Sequence, residues 1–316
     1  MMVNALVTGG AGFIGSHLVN ELIRLGADVR VLDNLSTGFE YNLNPEASFI
    51  LGDIRDEACL RKSMQGSDVI FHFAAFASVP LSFTHEEECI ETNEIAFAKL
   101  LDLASRENVN KVILASSAAV YPDDADGPCS ETSFTQQSSP YGRSKKYDEE
   151  ILEIWCKEGL KCSGSALRYF NIYGPGQDAK SDYATVVPKF IQQVLDEKPL
   201  TIYGSGHQTR DYIYVRDIVK ATLFSSKLND YNCFVVGTEE ETSVIQFVEM
   251  LEEIVSEPLD RIFLPLPKGD PLSSCADITK LKLQGWNPEI SFKEGLALTW
   301  ESYLKGIVDP INETMC

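Results

Sequence analysis

The hydrophobic positions in the first half of the chain gather into short, almost unbroken runs. These are Val3–Thr8, Asp28–Asp33, Ser48–Gly52, Val69–Phe73, Lys111–Ser116 and Gly164–Tyr169. Runs that are apolar nearly throughout, rather than alternating, fit parallel strands covered on both faces. Between them the spacing changes to a helical period. Ile14, Leu18, Val19, Leu22, Ile23 and Leu25 form one such stripe. Glu87–Arg106 and Pro140–Lys157 read as further helices. This βαβαβ order predicts an open α/β fold with a doubly wound parallel sheet.

From about Asn171 the pattern changes. Turn signals thicken at Tyr173-Gly174-Pro175-Gly176 and again at Tyr203-Gly204-Ser205-Gly206. Helices are predicted at Val186–Glu197 and at Ser243–Val255, where Val244, Phe247, Val248, Leu251 and Ile254 are in phase. The proline-rich stretch Pro258–Pro271 reads as a surface loop. The expected organisation is a dinucleotide-binding domain over residues 1–170 and a smaller C-terminal α/β substrate domain over residues 171–316. A segment near 212–237 is expected to return to the first domain.

Composition narrows the partners. The chain has 316 residues, 44% of them hydrophobic and 23% charged, which suits a globular protein with a sizeable core. Its 27 basic and 47 acidic residues give a formal charge of −20, which argues against nucleic acid and an anionic membrane surface. An anionic small molecule would need positive potential concentrated locally. No run approaches ~18 uninterrupted apolar residues, and no basic, apolar leader opens the chain. The eight cysteines form no CxxC pair and the four histidines lie far apart, so no metal site is expected. Scattered, reduced cysteines point to the cytoplasm.

After the first strand comes Thr8-Gly9-Gly10-Ala11-Gly12-Phe13-Ile14-Gly15. Gly9 permits a tight strand-to-helix turn, Gly12 the approach of a pyrophosphate, and Gly15 close helix–sheet packing. The helix N-terminus then offers free N–H groups and the positive end of its dipole. Backbone, rather than lysine, thus resolves the charge problem. The second strand ends in Asp33, where a carboxylate can hold both ribose hydroxyls and repel a 2′-phosphate. That favours NAD over NADP. Asp53-Ile54 follows the third strand; the acid there could meet an adenine amino group or simply cap a helix.

Tyr141 and Lys145 stand four positions apart on one face of a predicted helix. A tyrosine titrates near ~10, too high for a base at neutral pH. A cation beside it is expected to lower that value by about 1–3, with oxidised nicotinamide adding to the effect. Alone, this spacing is indistinguishable from two residues on a solvated helix. Following a glycine loop and an acid-tipped second strand, it points to a general base for an alcohol or sugar hydroxyl. Ser117, at the end of the Lys111–Ala115 run, could hydrogen-bond the same substrate oxygen or merely satisfy the strand end.

These residues carry a resemblance. TGGAGFIGSH, DNLSTG, HFAAFASVP, SSAAVY, SPYGRSK, RYFNIYGPGQ and PLTIYGSGHQTRDYIYVRD resemble the extended short-chain dehydrogenase/reductase superfamily, and within it the UDP-glucose 4-epimerases. The resemblance implies a Rossmann sheet with bound NAD and a UDP-sugar substrate. It implies that Tyr141 takes the proton of the sugar 4-hydroxyl while hydride leaves C4, that Ser117 supports that hydroxyl, and that Lys145 holds the nicotinamide ribose. It assigns cofactor contacts to Phe13, Ile14, Asp33, Asn34, Asp53, Ile54, Phe73, Ala74, Asn93, Lys145 and Phe170. Nucleotide-sugar contacts fall on Asn171, Val186, Tyr203, Arg210, Tyr212 and Asp270. Arginine suits a diphosphate because its planar fork matches the oxygens.

Dehydratases of this superfamily carry an Asp-Glu pair just after the active-site hydroxyl, and decarboxylases a glutamate. Here Ala118-Ala119 stands instead, which favours simple C4 epimerisation of UDP-glucose/UDP-galactose. The alternatives are another nucleotide-sugar epimerase, dehydratase or decarboxylase, or a protein that only senses dinucleotide. The chain also departs from the family. Pro267 stands where an arginine is common, with Lys268 beside it, and Thr185 replaces a uridine-binding asparagine, leaving UDP and dTDP both open. Ala96-Phe97 and Pro122 replace glycine-containing positions. Ser274 matches a position where a bulky residue restricts the sugar pocket, so N-acetylated sugars are expected to fit. The resemblance implies a homodimer paired through Glu87–Arg106 and Pro140–Lys157, with Ile151, Ile154 and Trp155 as apolar contacts.

Overall fold

The computed structural model describes residues 3–125, 127–158, 162–179, 185–266 and 271–306. The first six runs become strands: β1 (Asn4–Thr8), β2 (Asp28–Asp33), β3 (Ser48–Leu51), β4 (Val69–His72), β5 (Lys111–Ser117) and β6 (Ser163–Tyr169). They lie all parallel in a seven-stranded sheet, β3-β2-β1-β4-β5-β6, closed at the far edge by β10 (Tyr231–Val236). The fold is therefore α/β with a doubly wound Rossmann sheet. Strand order reverses between β1 and β4, the switch point beside which such sheets bind ligands. Side chains alternate across the sheet. Ala5, Val7, Val29, Val31, Phe71 and Ile113 face one buried cluster, and Leu6, Leu32, Ile70, Val112 and Leu114 the other.

Helix α1 (Phe13–Arg24) buries Leu18, Val19 and Leu22. Leu25 lies past its end and is exposed, so the expected stripe stops one residue short. Helix α2 (Glu57–Met64) is capped by the Asp56 side chain, which accepts from the Ala58 and Cys59 amides. Short α3 (Val79–Ser82) precedes α4 (Glu86–Ile90). The helix expected over Glu87–Arg106 is divided: α4, a π turn at Glu91–Ile95, then α5 (Ala96–Arg106). The π turn holds Asn93, whose buried amide bonds both Phe76 backbone groups and the Ser144 hydroxyl. Widening of the turn accompanies this inward-facing polar side chain, an arrangement hydrophobic periodicity does not encode. Helix α6 (Pro140–Glu158) begins on a proline, whose missing N–H costs nothing there.

The rest of the chain forms β7 (Asn171–Tyr173), α7 (Val186–Leu195), β8 (Leu200–Tyr203), β9 (Thr209–Tyr214), α8 (Val215–Ser225), then β10, β11 (Glu241–Ser243) and α9 (Val244–Val255). A three-stranded sheet, β11-β9-β7, packs on a separate aromatic core that includes Tyr173, Tyr212, Phe247 and Phe292. The stretch read as a loop contains β12 (Arg261–Leu264), parallel to β8. Ile262 and Phe263 are largely exposed on this two-stranded ribbon, so their apolar character gave no buried-strand pattern. Two helices, α10 (Thr279–Leu283) and α11 (Phe292–Leu304), complete the smaller region. Among the described residues no helix is long and apolar enough to cross a membrane, and no group of His, Cys, Asp and Glu is placed to hold a metal.

Candidate active site

The turn after β1 is built for close approach. Gly9 has φ +74°, and a Cβ there would lie 2.5 Å from the Ala74 nitrogen. At Gly15 a Cβ would fall 2.2 Å from the Gly9 carbonyl oxygen. Both positions exclude any side chain, which brings the N-terminus of α1 against the end of the sheet. Asp33 braces this turn: its Oδ2 accepts from the Ala11 amide at 2.9 Å and its Oδ1 from the Leu35 amide at 2.8 Å. Burial holds the Asp33 carboxyl above the usual carboxylate range, against the pull of these amides.

A first cavity, about 280 Å³, opens here. Gly9, Gly12, Phe13, Ile14, Gly15, Asp33, Asn34, Asp53, Ile54, Phe73 and Ala74 all line it. Asp53 accepts from Asn34 Nδ2 at 3.0 Å and pairs with Arg55 at 2.7 Å. The Arg55 hydrogen bond holds the Asp53 carboxyl down to about 2. Asp56, not Asp53, caps the next helix, so the capping alternative for Asp53 falls. The expected cofactor residues Asn93 and Phe170 are not among those lining this first cavity. The Asn93 side chain is spent on Phe76 and Ser144, and Phe170 borders the second cavity. Sequence reasoning missed Ser36, Thr37, Phe39, Asn42 and the loop Gly176–Asp178, which also line the first cavity. Ser36 and Thr37 sit within DNLSTG and were open to detection; Gly176–Asp178 arrive from the other half of the chain.

The second cavity, about 850 Å³, is bordered by Ser117, Ala118, Ala119, Asn171, Arg210 and Ser274, and by Asp123, Cys129 and Pro271. Tyr141 and Lys145 are not among the residues that line it; Ser117, which is, acts on the Tyr141 hydroxyl from the end of β5. Lys145 Nζ is 5.9 Å from the Tyr141 ring centroid. Contrary to expectation, the tyrosine is not lowered: loss of solvent pushes it up to about 12, although the Ser117 hydrogen bond opposes this. Burial also pushes the Lys145 ammonium below its ordinary value. The Gly142 backbone packs against the Ala119 carbonyl so closely that a Cβ would lie 2.3 Å from it. That contact fixes the start of α6 against the Ser117 strand end.

A third cavity of about 220 Å³ is lined by Thr185, Val186, Tyr203 and Tyr212. Tyr203 is largely exposed. Tyr212 is buried, its ring stacked on Phe292 at 4.6 Å, so it belongs to the core as well as to the wall. Asn171 and Arg210 border both the second and third cavities. A ligand filling both would therefore have its middle beside a guanidinium. Asp270, Pro267 and Lys268 lie outside the described residues.

The pattern of the NAD dependent epimerase/dehydratase family matches residues 5–237. A UDP-glucose 4-epimerase of Thermotoga maritima, solved with UDP-glucose, is 38% identical with a TM-score of 0.93, covering 96% of this chain and 100% of that one. A UDP-N-acetylglucosamine 4-epimerase of Methanobrevibacter ruminantium, solved with UDP-N-acetylmuramic acid, is 36% identical with a TM-score of 0.91, covering 97% and 100%. UDP-glucuronic acid decarboxylase 1 of Arabidopsis thaliana is 34% identical over 303 residues, 92% of this chain and 67% of that one.

Proposed function

We propose that this chain, which belongs to the NAD dependent epimerase/dehydratase family, interconverts the C4 epimers of a neutral UDP-hexose through a transient 4-keto sugar. It is an NAD-dependent enzyme of nucleotide-sugar chemistry, and the first cavity suits the adenine-nucleotide half of NAD. The glycine turn leaves no room for side chains, Asp33 lines the same space, where it would hold the ribose hydroxyls, and an NAD complex is known for a relative 32% identical. Bound NAD supplies the hydride acceptor and donor.

The observation that carries the C4 reading is the junction of the cavities. Asn171 and Arg210 stand between a nucleoside-sized space and a larger one that ends at Ser117 and, through it, Tyr141. Arg210 would hold the diphosphate, with Thr185, Val186, Tyr203 and Tyr212 around the nucleoside. In the larger space the Tyr141 oxygen would take the proton of the sugar hydroxyl and return it, while the Ser117 hydroxyl fixes the angle of approach. Lys145 would hold the nicotinamide ribose. Ala118 and Ala119 border the sugar space and carry no group to transfer a second proton, so elimination lacks a catalyst.

The lining also speaks against a sugar carboxylate. Among the described residues around the second cavity the one cation is Arg210, already committed to the diphosphate, while Asp123 would repel a uronate. This favours epimerisation of a neutral hexose over the glucuronate decarboxylation of the more distant relative. Ser274 borders the same space and its small side chain leaves room for a 2-acetamido group. The exposed apolar residues Ile95, Tyr147 and Ile154 lie on the π turn and α6, where a two-helix face would pair with a second copy.

Purified protein with UDP-galactose or UDP-N-acetylgalactosamine, without added NAD, should yield the C4 epimer by proton NMR with no net NADH. Tyr141→Phe should lower the rate at least ~100-fold. A decarboxylated or 4-keto-6-deoxy product, or no epimer even with NAD supplied, would overturn the reading. Ser274→Tyr should depress the N-acetyl rate selectively; an unchanged ratio of the two rates would discard that gate. Sedimentation as a monomer at micromolar concentration would discard the dimer.

A further inference from the structure

Helix α6 places Tyr141, Lys145 and Asp148 at i, i+4 and i+7, one stripe on one face. The stripe turns inward. Asp148 has no exposed surface at all, and neither of its carboxylate oxygens has a hydrogen-bond partner. A charged carboxylate is held so only where another charge compensates it. The groups that face it are few. On its own helix they are Lys145 and Glu149, and from the π turn, Glu94. Cys89 of α4 faces Lys145, Tyr141 and Asp148 together, and buried His72 of β4 faces Lys145. Glu149 is spent on Arg168, and Arg143 draws on Glu94. Among the described residues, Lys145 is the cation that acts on Asp148.

We propose that Asp148 is the buried counter-ion of Lys145, a positioning residue that cancels the lysine's field at Tyr141, so that the tyrosine ionises only when oxidised nicotinamide adds its positive charge. With one proton between the two groups, on the lysine nitrogen or on the carboxyl, Lys145 and Asp148 together carry no net charge. Asp148 thus adds to the burial that already holds Tyr141 up at about 12. Burial favours the neutral form of both partners, raising Asp148 and lowering Lys145. The gain for the enzyme is a base that stays protonated in the empty or reduced site and becomes active with the oxidised cofactor. The inference rests on Tyr141 being the base of the proposed function.

The experiment follows the phenolate absorbance of Tyr141, taken as the difference between each protein and its Tyr141→Phe counterpart, with and without bound NAD. In the parent protein the midpoint should fall when NAD is loaded. In Asp148→Asn without NAD it should already lie about one pH unit lower, a tenfold larger phenolate fraction at a given pH. The acid limb of the pH–rate profile of the loaded enzyme should move the same way. Asp148→Ala, which adds no bulk, should reproduce the shift if the amide packs badly. An unmoved or higher midpoint in both variants overturns the proposal. Because the titration needs no sugar, it stands apart from the epimerase assay. A missing epimer alone strikes the proposed function, and an unmoved midpoint in an active epimerase strikes only Asp148.

Discussion

Two adjacent carboxylates on α6, Asp148 and Glu149, are both buried, and they live in opposite surroundings. Glu149 takes both arms of Arg168 at 2.9 and 2.7 Å, and the Ser116 hydroxyl at 2.6 Å. Arg168 reaches on to the Tyr121 hydroxyl, which donates to the Ser130 carbonyl. Burial works against the Arg168 charge, yet Glu149 outweighs it and holds the guanidinium above its ordinary value. Asp148 has none of this. One residue along the helix turns a side chain by about 100°, and that rotation separates a satisfied network between sheet and helix from a carboxyl set against the reactive tyrosine and lysine. The lesson is one of partners rather than burial. A fully bonded buried ion pair fixes a fold, while an orphaned carboxyl beside a reactive group costs stability and is retained where its charge has an effect elsewhere.

The comparison breaks most visibly at Glu149. Glu149→Ala strands the Arg168 charge and should cost about 3–5 kcal/mol in denaturant unfolding. An equal loss from Asp148→Ala would erase the distinction.

His72 offers the next test. Buried, stacked on Phe97, and bonded through Nδ1 to Thr8, it is held neutral, pushed down to about 3. Its folded value lies below the unfolded value near ~6.5, so the unfolded chain binds the extra proton between them. The stability this group contributes is present above that range and is lost as pH falls through it. His72→Gln should flatten stability between about pH 6.5 and 3 by roughly 3 kcal/mol.

Asp148→Asn should be neutral or stabilising by about 1 kcal/mol at pH 7. Its sign is the reverse of the histidine's: the folded carboxyl sits above its unfolded value, so its cost grows as pH rises from about 4. Thermal unfolding of the two proteins should therefore converge at low pH; a difference that persists there would assign the effect to packing alone.

The smallest effect belongs to Asp53→Asn. Asp53 is held low by Arg55 at a half-open surface, so its stabilisation is present above about pH 4, fades toward pH 2, and stays under ~1 kcal/mol.

Much of this molecule was written in local pattern. The six apolar runs became six neighbouring parallel strands because a strand buried on both faces has to be apolar at every position. The glycine turn was readable because its spacing reflects contacts within a few residues, Gly15 against Gly9. The acid at the end of β2 was readable from the same local order. Where reading failed, the cause was distant in sequence. The π turn inside Glu87–Arg106 goes with the bonds of Asn93 to Phe76 and Ser144, partners distant in sequence. The β12 strand was missed because its partner β8 lies some sixty residues back and leaves one side open. Gly176–Asp178 joined the first cavity only once the second half of the chain had folded over the first.

The alternation of strands and helices, the glycine cradle and the tyrosine–lysine spacing follow from the order of residues, since each depends on backbone geometry within one turn or one strand. How strongly those groups hold their protons came from the folded surroundings. Tyr141 beside Lys145 read as an activated base; folded, it is held up at about 12 by lost solvent, with Asp148 set against the lysine. Spacing along a helix fixes which side chains are neighbours, but the charge a neighbour exerts depends on how much water and how many counter-ions the rest of the fold leaves around it.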